Sequence, residues 1–213
     1  MNALERRLKR CLDIQAAVVG LTVLSPVLVA VAVAVRLDSA GPVLYRGVRA
    51  GRGGRPFRIL KFRTMVEDAE ALGGTTTAAG DPRITRIGRW LRRYKVDELP
   101  QLLNVLWGDM SLVGPRPEVL EYTDAYTDDE RAILSVTPGI TDISSLEFID
   151  LQSHVGASEA DAAFRRDVLP RKNRLRLQYV REQSFVGDVG ILARTVFSLA
   201  QRAAGLNGER RAG

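Results

Sequence analysis

The chain has 213 residues, with 31 Lys or Arg against 25 Asp or Glu and a formal charge of +6, a balance that favours anionic partners: nucleic acid, acidic lipid or a phosphorylated small molecule. Its one cysteine, Cys11, excludes an intrachain disulfide and a cysteine-based zinc site, in keeping with a reducing, cytoplasm-facing body. Its one histidine, His154, would have to carry any Ser-His pair or His-rich metal site alone, and is read as a loop residue.

The first element is an uncharged run from Ile14 to Val35, "IQAAVVGLTVLSPVLVAVAVAV". As a straight helix it spans about 33 Å, the depth of one bilayer core. A secretory signal would share the basic "NALERRLKR" lead, but the run is long for an h-region and no small-residue cleavage site ends it before Arg36. Ser25-Pro26 sits at its centre, where proline removes a backbone donor and kinks a helix. Arg6, Arg7, Lys9 and Arg10 precede the run, and Arg36, Arg46, Arg49 and Arg52 follow it, so the positive-inside rule keeps both ends cytoplasmic. On pattern alone, a broken helix that enters and leaves by one leaflet competes with a simple span. Either reading puts the chain at a membrane.

"GPVLYRGVRAGRGGRPFRILKFRTM" reads as two short strands around a turn at Gly51, Gly53 and Gly54, which lack the order of a Walker loop. A small polar linker, "GGTTTAAGDP", covers 73–82. Helical periodicity follows: Ile84, Ile87, Leu91 and Tyr94 share a face, with Trp90 beside it and Arg83, Arg86, Arg89 and Arg93 on the other sides. Such a helix suits either a solvated basic face or anionic lipid headgroups. Thr127 and Glu130 have capping-box spacing and predict a helix ending before Pro138-Gly139. The tail from Phe185, "FVGDVGILARTVFSLAQRAA", reads as another amphipathic helix.

The chemistry concentrates in "KVDELPQLLNVLWGDM". Leu99, Leu102, Leu103 and Leu106 set a helical period ending near Gly108, and Pro100 is tolerated in the first turn. Asp97 and Glu98 at that helix start have an ordinary reading as caps. They also have Arg92, Arg93 and Lys95 just upstream, and "GPRP" at Gly114–Pro117 a helix-length later. Prolines on both sides of Arg116 restrict its backbone, which suits a fixed anion contact. Adjacent carboxylates among fixed cations can assemble a phosphoryl-transfer site: one carboxylate attacks phosphorus, the other holds Mg2+, and arginines neutralise phosphate oxygens.

"SAGPVLYRGVRAG", "FRILKFRTM", "DPRITRIGRWLRR", "VDELPQLLNVLWGDMSLVGPRP" and "TPGIT" together resemble the bacterial sugar transferases, the monotopic phosphoglycosyl transferases, from about Arg7 to Val196. The resemblance implies an α+β, mostly helical fold. It would have a re-entrant membrane helix hairpin broken at Ser25 and Pro26, amphipathic interfacial helices and a small β-hairpin around the active site. It implies one monotopic domain over 1–213, with the re-entrant helix at about 12–36 and the catalytic core at about 40–204. The activity implied is transfer of a sugar 1-phosphate from a UDP-sugar to a polyprenol phosphate such as undecaprenyl phosphate, with release of UMP, at the cytoplasmic face of the bacterial inner membrane. Asp97 would be the nucleophile and Glu98 the Mg2+ ligand, with Lys61, Arg63, Arg92 and Arg116 binding substrate. Membrane lipid is an expected partner, a homodimer a candidate assembly, and nucleic acid is not expected. The rival reading is a non-catalytic basic membrane scaffold that recruits glycan-assembly partners. Two departures stand out: relatives follow PGIT with glycine and then Gln-Val-Asn-Gly-Arg, where this chain has Asp142-Ile143-Ser144-Ser145, and many carry Asp where it has Arg176 before Tyr179. Both are expected to bear on sugar identity and to leave the phosphoryl chemistry untouched.

Overall fold

A computed structural model of the chain describes residues 1–69, 81–147, 162 and 164–204; His154 and most of the 73–82 linker lie outside them. The fold is mostly helical with two small two-stranded sheets, the α+β class expected. Helix α1 (Ala3–Asp38) starts on a capping box: the Asn2 side chain accepts from the Glu5 N–H at 2.8 Å and the Asn2 N–H donates to Glu5 Oε2 at 2.9 Å. It then runs unbroken through Pro26 for 36 residues, long and apolar enough to cross a membrane.

Pro26 leaves the Thr22 carbonyl without its i→i−4 donor, and the Ser25 hydroxyl donates to that carbonyl instead, at 2.8 Å. Ser25-Pro26 therefore does not divide α1 into two helices. The hairpin expectation needs correcting on that point: the local pairing of hydroxyl and proline preserves helical continuity. The helix is nevertheless anchored at both feet and bare between them. Ala17 belongs to the main core with Ile59 and Val105, Val31 and Val35 to a second cluster with Phe62 and Leu91, and nothing from residue 18 to residue 30 is buried. Within that stretch Gly20 lies against Leu102 and Leu28 packs partly on the second cluster, while the turns around Ser25 and Pro26 bury nothing.

The N-terminal foot is held by polar contacts. Arg10 donates to the Val105 and Leu106 carbonyls at 2.6 and 2.9 Å, Lys9 to the Val113 carbonyl at 2.8 Å and to Asp188, and the Leu112 N–H donates to Asp13 at 3.0 Å. At the other foot Arg63 donates to the Ser39 carbonyl at 2.6 Å and its hydroxyl at 3.0 Å.

The expected hairpin is present: β1 (Leu44–Ala50) pairs antiparallel with β2 (Pro56–Phe62), Leu44 opposite Phe62 and Ala50 opposite Pro56, around a turn at Arg52–Gly54. Helix α2 (Arg86–Tyr94) is capped by Thr85, buries Leu91 completely and leaves Trp90 half exposed, stacked at a tilt on Tyr94. A single 3-10 turn, Val96–Glu98, leads to α3 (Gln101–Trp107), which stops at Gly108. Asn104 ties α3 to the outer edge of β2: its Oδ1 accepts the Leu60 N–H and its Nδ2 donates to the Arg58 carbonyl, both at 2.9 Å. That fixes the end of β2 against the 3-10 turn. Strand β3 (Ser111–Val113) lies parallel to β4 (Gly139–Thr141), with α4 (Leu120–Asp124) between them in sequence.

The Thr127–Glu130 capping box forms, with bonds of 3.0 and 3.3 Å, but opens a six-residue 3-10 segment, Glu130–Ser135, not an α-helix. The chain must already be extended at Val136 to approach Pro138, which leaves no room for another turn. Helices α5 (Ile143–Glu147), α6 (Leu169–Glu182) and α7 (Phe185–Ala203) complete the body. The expected amphipathic tail is α7: it buries Asp188 and Ile191 and exposes Val186, Val189, Val196 and Phe197.

Candidate active site

Lys95 is the one non-glycine among the described residues with a left-handed backbone, at φ 58°, and it turns the chain from α2 into the Val96–Glu98 turn. That reversal buries Asp97 and aims Glu98 across to β2. Neither carboxylate caps a helix; α3 starts at Pro100 with no side-chain cap. The ordinary capping explanation therefore fails for both residues.

Glu98 sits in an ion cluster. Arg116 grips it with a two-pronged fork, Nη1 to Oε2 at 2.9 Å and Nη2 to Oε1 at 2.7 Å, and Lys61 reaches Oε1 at 3.0 Å. Burial would raise the Glu98 carboxyl, but Arg116 and then Lys61 overcome it and hold it well below the usual carboxylate range. Asp97 is the opposite case. It is 7% exposed and its Oδ1 is buried without a hydrogen bond. Burial, then the Glu98 charge, pushes its carboxyl above the ordinary value, against the pull of Lys61, Lys95 and Arg92. Two adjacent carboxylates thus differ sharply: one neutralised by cations, one desolvated with a free lone pair on Oδ1.

Arg92 Nε donates to the Thr64 hydroxyl at 2.8 Å; burial pushes its guanidinium down, with Asp97 the strongest opposing charge. Lys95 is lowered by burial, with Glu98 opposing. Of the residues expected at the site, Asp97, Glu98, Lys61, Arg92 and Arg116 come together. Arg63 does not: it closes the C-terminal foot of α1. Ser25 and Pro26 lie in the unburied middle of α1.

Sequence reasoning did not select Lys95 as a site residue, although its position two residues before Asp97 was the available signal. It also missed the support beneath Arg116. The Arg116 N–H donates to Asp142 Oδ2 at 3.3 Å, and its guanidinium also donates to the Ile140 carbonyl. Asp142 collects the Ser144 and Ser145 hydroxyls and lies 3.7 Å from Arg176 Nε. Arg176, fully buried, donates to Glu118 at 2.7 Å, and Lys172 lies 3.6 Å from the same carboxylate. The two departures, Asp142 and Arg176, therefore meet in space. Asp142 underpins the phosphate-binding candidate Arg116 through its backbone N–H, and Arg176 reaches Arg116 only through Asp142.

Among the described residues no three acidic, histidine or cysteine side chains gather as a metal cage. A carboxylate pair in a cradle of cations, in a chain with one helix long and apolar enough to cross a membrane, is a site suited to binding phosphates. The profile of the bacterial sugar transferase family matches residues 4–202, and the chain belongs to that family. It is 39% identical over 194 residues to the UDP-glucose:undecaprenyl-phosphate glucose-1-phosphate transferase of Caulobacter vibrioides, covering 90% of this chain and 69% of that protein. It is 40% identical over 199 residues to the undecaprenyl-phosphate glucose phosphotransferase of Komagataeibacter xylinus, covering 88% of this chain and only 35% of that protein. To the exopolysaccharide production protein PSS of Rhizobium leguminosarum bv. phaseoli it is 37% identical over 205 residues, 93% of this chain and 98% of that one.

Proposed function

We propose that this chain transfers a sugar 1-phosphate from a UDP-sugar to undecaprenyl phosphate through a covalent intermediate on Asp97, as the first membrane step of surface-glycan assembly. The observation that carries the mechanism is the contrast between the two carboxylates. Asp97 Oδ1 is desolvated and accepts nothing, while Glu98 is neutralised by Arg116 and Lys61. A carboxylate stripped of water keeps its lone pair available for attack. Asp97 attacks the sugar-bearing phosphorus, and the bond to the bridging oxygen breaks. UMP leaves with that electron pair, and an acyl phosphate joins Asp97 to the phosphosugar. A phosphate oxygen of the polyprenol phosphate then attacks the same phosphorus and restores the carboxylate. Lys61, Arg92, Lys95 and Arg116 offset the charge of the phosphate oxygens throughout.

Mg2+ usually binds through one or two carboxylates together with substrate phosphates. The donor set fits that habit through Glu98, whose Oε2 accepts one bond only. Its carboxylate would hold a metal delivered on the diphosphate, and the metal would neutralise phosphate charge there, with Asp97 Oδ1 left for attack.

The unburied middle of α1, the exposed apolar side chains of α7 and the exposed Trp90 and Trp107 support immersion in one leaflet, with both feet of α1 on the cytoplasmic face of the inner membrane. The test is UMP release from a panel of UDP-sugars with Mg2+ and undecaprenyl phosphate, with intact mass read after UDP-sugar alone. A phosphosugar adduct on the Asp97 peptide is expected. An active Asp97→Asn enzyme with no adduct on the wild type overturns the mechanism, and UDP-sugar-independent behaviour throughout favours the scaffold reading.

A further inference from the structure

We propose that Thr64 is a positioning residue for Arg92: its hydroxyl holds the guanidinium by Nε, which presents Nη1 and Nη2 to phosphate oxygens near Asp97. This rests on the reading of the site as a UDP-sugar transferase. Thr64 follows Arg63 just beyond the end of β2 and is buried. Its backbone is pinned on both sides. The Arg63 N–H donates to the Val43 carbonyl at 2.9 Å, and the Thr64 carbonyl accepts the Thr85 N–H at 3.0 Å, at the cap of α2. Gly88 lets α2 close on the same point, since a Cβ built there would lie 2.1 Å from the Thr64 carbonyl oxygen. Thr85, Gly88 and Arg92 are spaced as one stripe of the helix, and all three meet Thr64.

Arg92 Nε donates to Thr64 Oγ1 at 2.8 Å, and that is the only hydrogen bond its guanidinium makes among the described residues. Nη1 and Nη2 stay unpaired, and neither is sealed from the surface. Arg176, by contrast, is fully buried and directs its Nη groups to Asn173 and Glu118. Docking of α2 does not require the Arg92 bond, because Thr85 and Gly88 already fix the helix on Thr64. A planar fork held from behind, with two donors open in front, suits a bidentate anion. Arg92 lies in the last turn of α2, and the left-handed Lys95 then returns the chain to Asp97, the strongest charge acting on that guanidinium. The diphosphate of a nucleotide sugar and the phosphate of the lipid offer the fork the same chemistry.

Titration calorimetry on the full chain in detergent, with inorganic diphosphate and separately with undecaprenyl phosphate, tests the assignment. Thr64→Val keeps the shape and removes the hydroxyl, so it should weaken at least one probe about tenfold; the probe affected identifies the phosphate that Arg92 holds. Thr64→Ser keeps the hydroxyl and should retain most of the affinity. In an Arg92→Met background, Thr64→Val should add no further loss, whereas a merely structural Thr64 would lower affinity by the same factor in both backgrounds. Circular dichroism melts establish that each variant is folded, and Thr64→Ala replaces Thr64→Val should valine disrupt the fold. Unchanged binding of both probes in Thr64→Val, an equal loss in both backgrounds, or a wild type that binds neither probe overturns the proposal. Coupled loss of binding in a protein that releases UMP from no UDP-sugar leaves the phosphate fork standing and overturns the transferase reading alone.

Discussion

Replacing Arg176 with methionine keeps a long apolar stem and removes the buried guanidinium that faces Glu118 and Asp142. Glu118 is held down to about 2 from an ordinary 4.5: burial alone would raise it, but Arg176, then Lys172, outweigh burial. At about 1.4 kcal/mol per unit, that depression corresponds to roughly 3 kcal/mol. The same figure comes from a second direction, since leaving one member of a buried ion pair uncompensated costs about 3–5 kcal/mol. Lys172 at 3.6 Å remains as a weaker partner and keeps the loss near the lower end. The folded pKa is depressed, so the stabilisation is fully present above pH 4.5 and is lost as pH falls toward 2. Melting followed by circular dichroism in detergent should put Arg176→Met about 6–12 °C below wild type at pH 7. The gap should close between pH 4.5 and 2. Equal melting at neutral pH, or a gap that persists to pH 2, refutes the assignment of Arg176 as the partner of Glu118.

Asp97→Asn should abolish turnover yet melt no lower than wild type at pH 7, because a carboxyl whose pKa is raised by burial destabilises the fold once ionised, and the amide removes that charge; a large fall in melting temperature would contradict this. Glu98→Gln should lose activity and also melt lower, since it strips the shared counter-charge from Lys61 and Arg116, and thermal melts compared with Asp97→Asn check the difference. Arg116→Lys keeps the charge but loses the fork, so UMP release should fall well below wild type with the fold intact. Single cysteines at Asn2 and Ser39 in a Cys11-free background should, on the proposed topology, both label from the cytoplasmic side, and Pro26→Ala, which restores the N–H that Thr22 lacks, should shift part of the population toward a spanning orientation, read by the sidedness of labelling.

The hairpin, the basic helix, the apolar helix and the carboxylate pair were all legible because each is written in local pattern: alternation, helical periodicity, a run of uncharged side chains, two neighbours in sequence. Arg116 was legible from its flanking prolines. Failures came where contacts between distant segments decide the outcome. Lys61 and Arg63 are two apart, yet one meets Glu98 and the other Ser39, because β2 ends at Phe62 and the chain turns toward α1. No spacing rule links Asp142 to Arg176, 34 positions away, or Asn104 to the edge of β2. The ordinary capping role for Asp97 failed for a backbone reason, the left-handed Lys95, which periodicity cannot register.

The grip of Lys9, Arg10 and Asp13 on residues 105–113 and on Asp188 has a consequence for biogenesis. Lys9, Arg10 and Asp13 leave the ribosome well before their last partner, Asp188, which is made 175 residues after Asp13. At about 5–20 residues per second, that is an interval of roughly 10–35 s. Throughout it the apolar run beyond them lacks the protein surfaces that later flank its two ends. On the membrane reading proposed above, insertion would precede folding: the helix would meet the bilayer as an unaccompanied segment, and the rest of the chain would assemble afterwards around an anchor already in place.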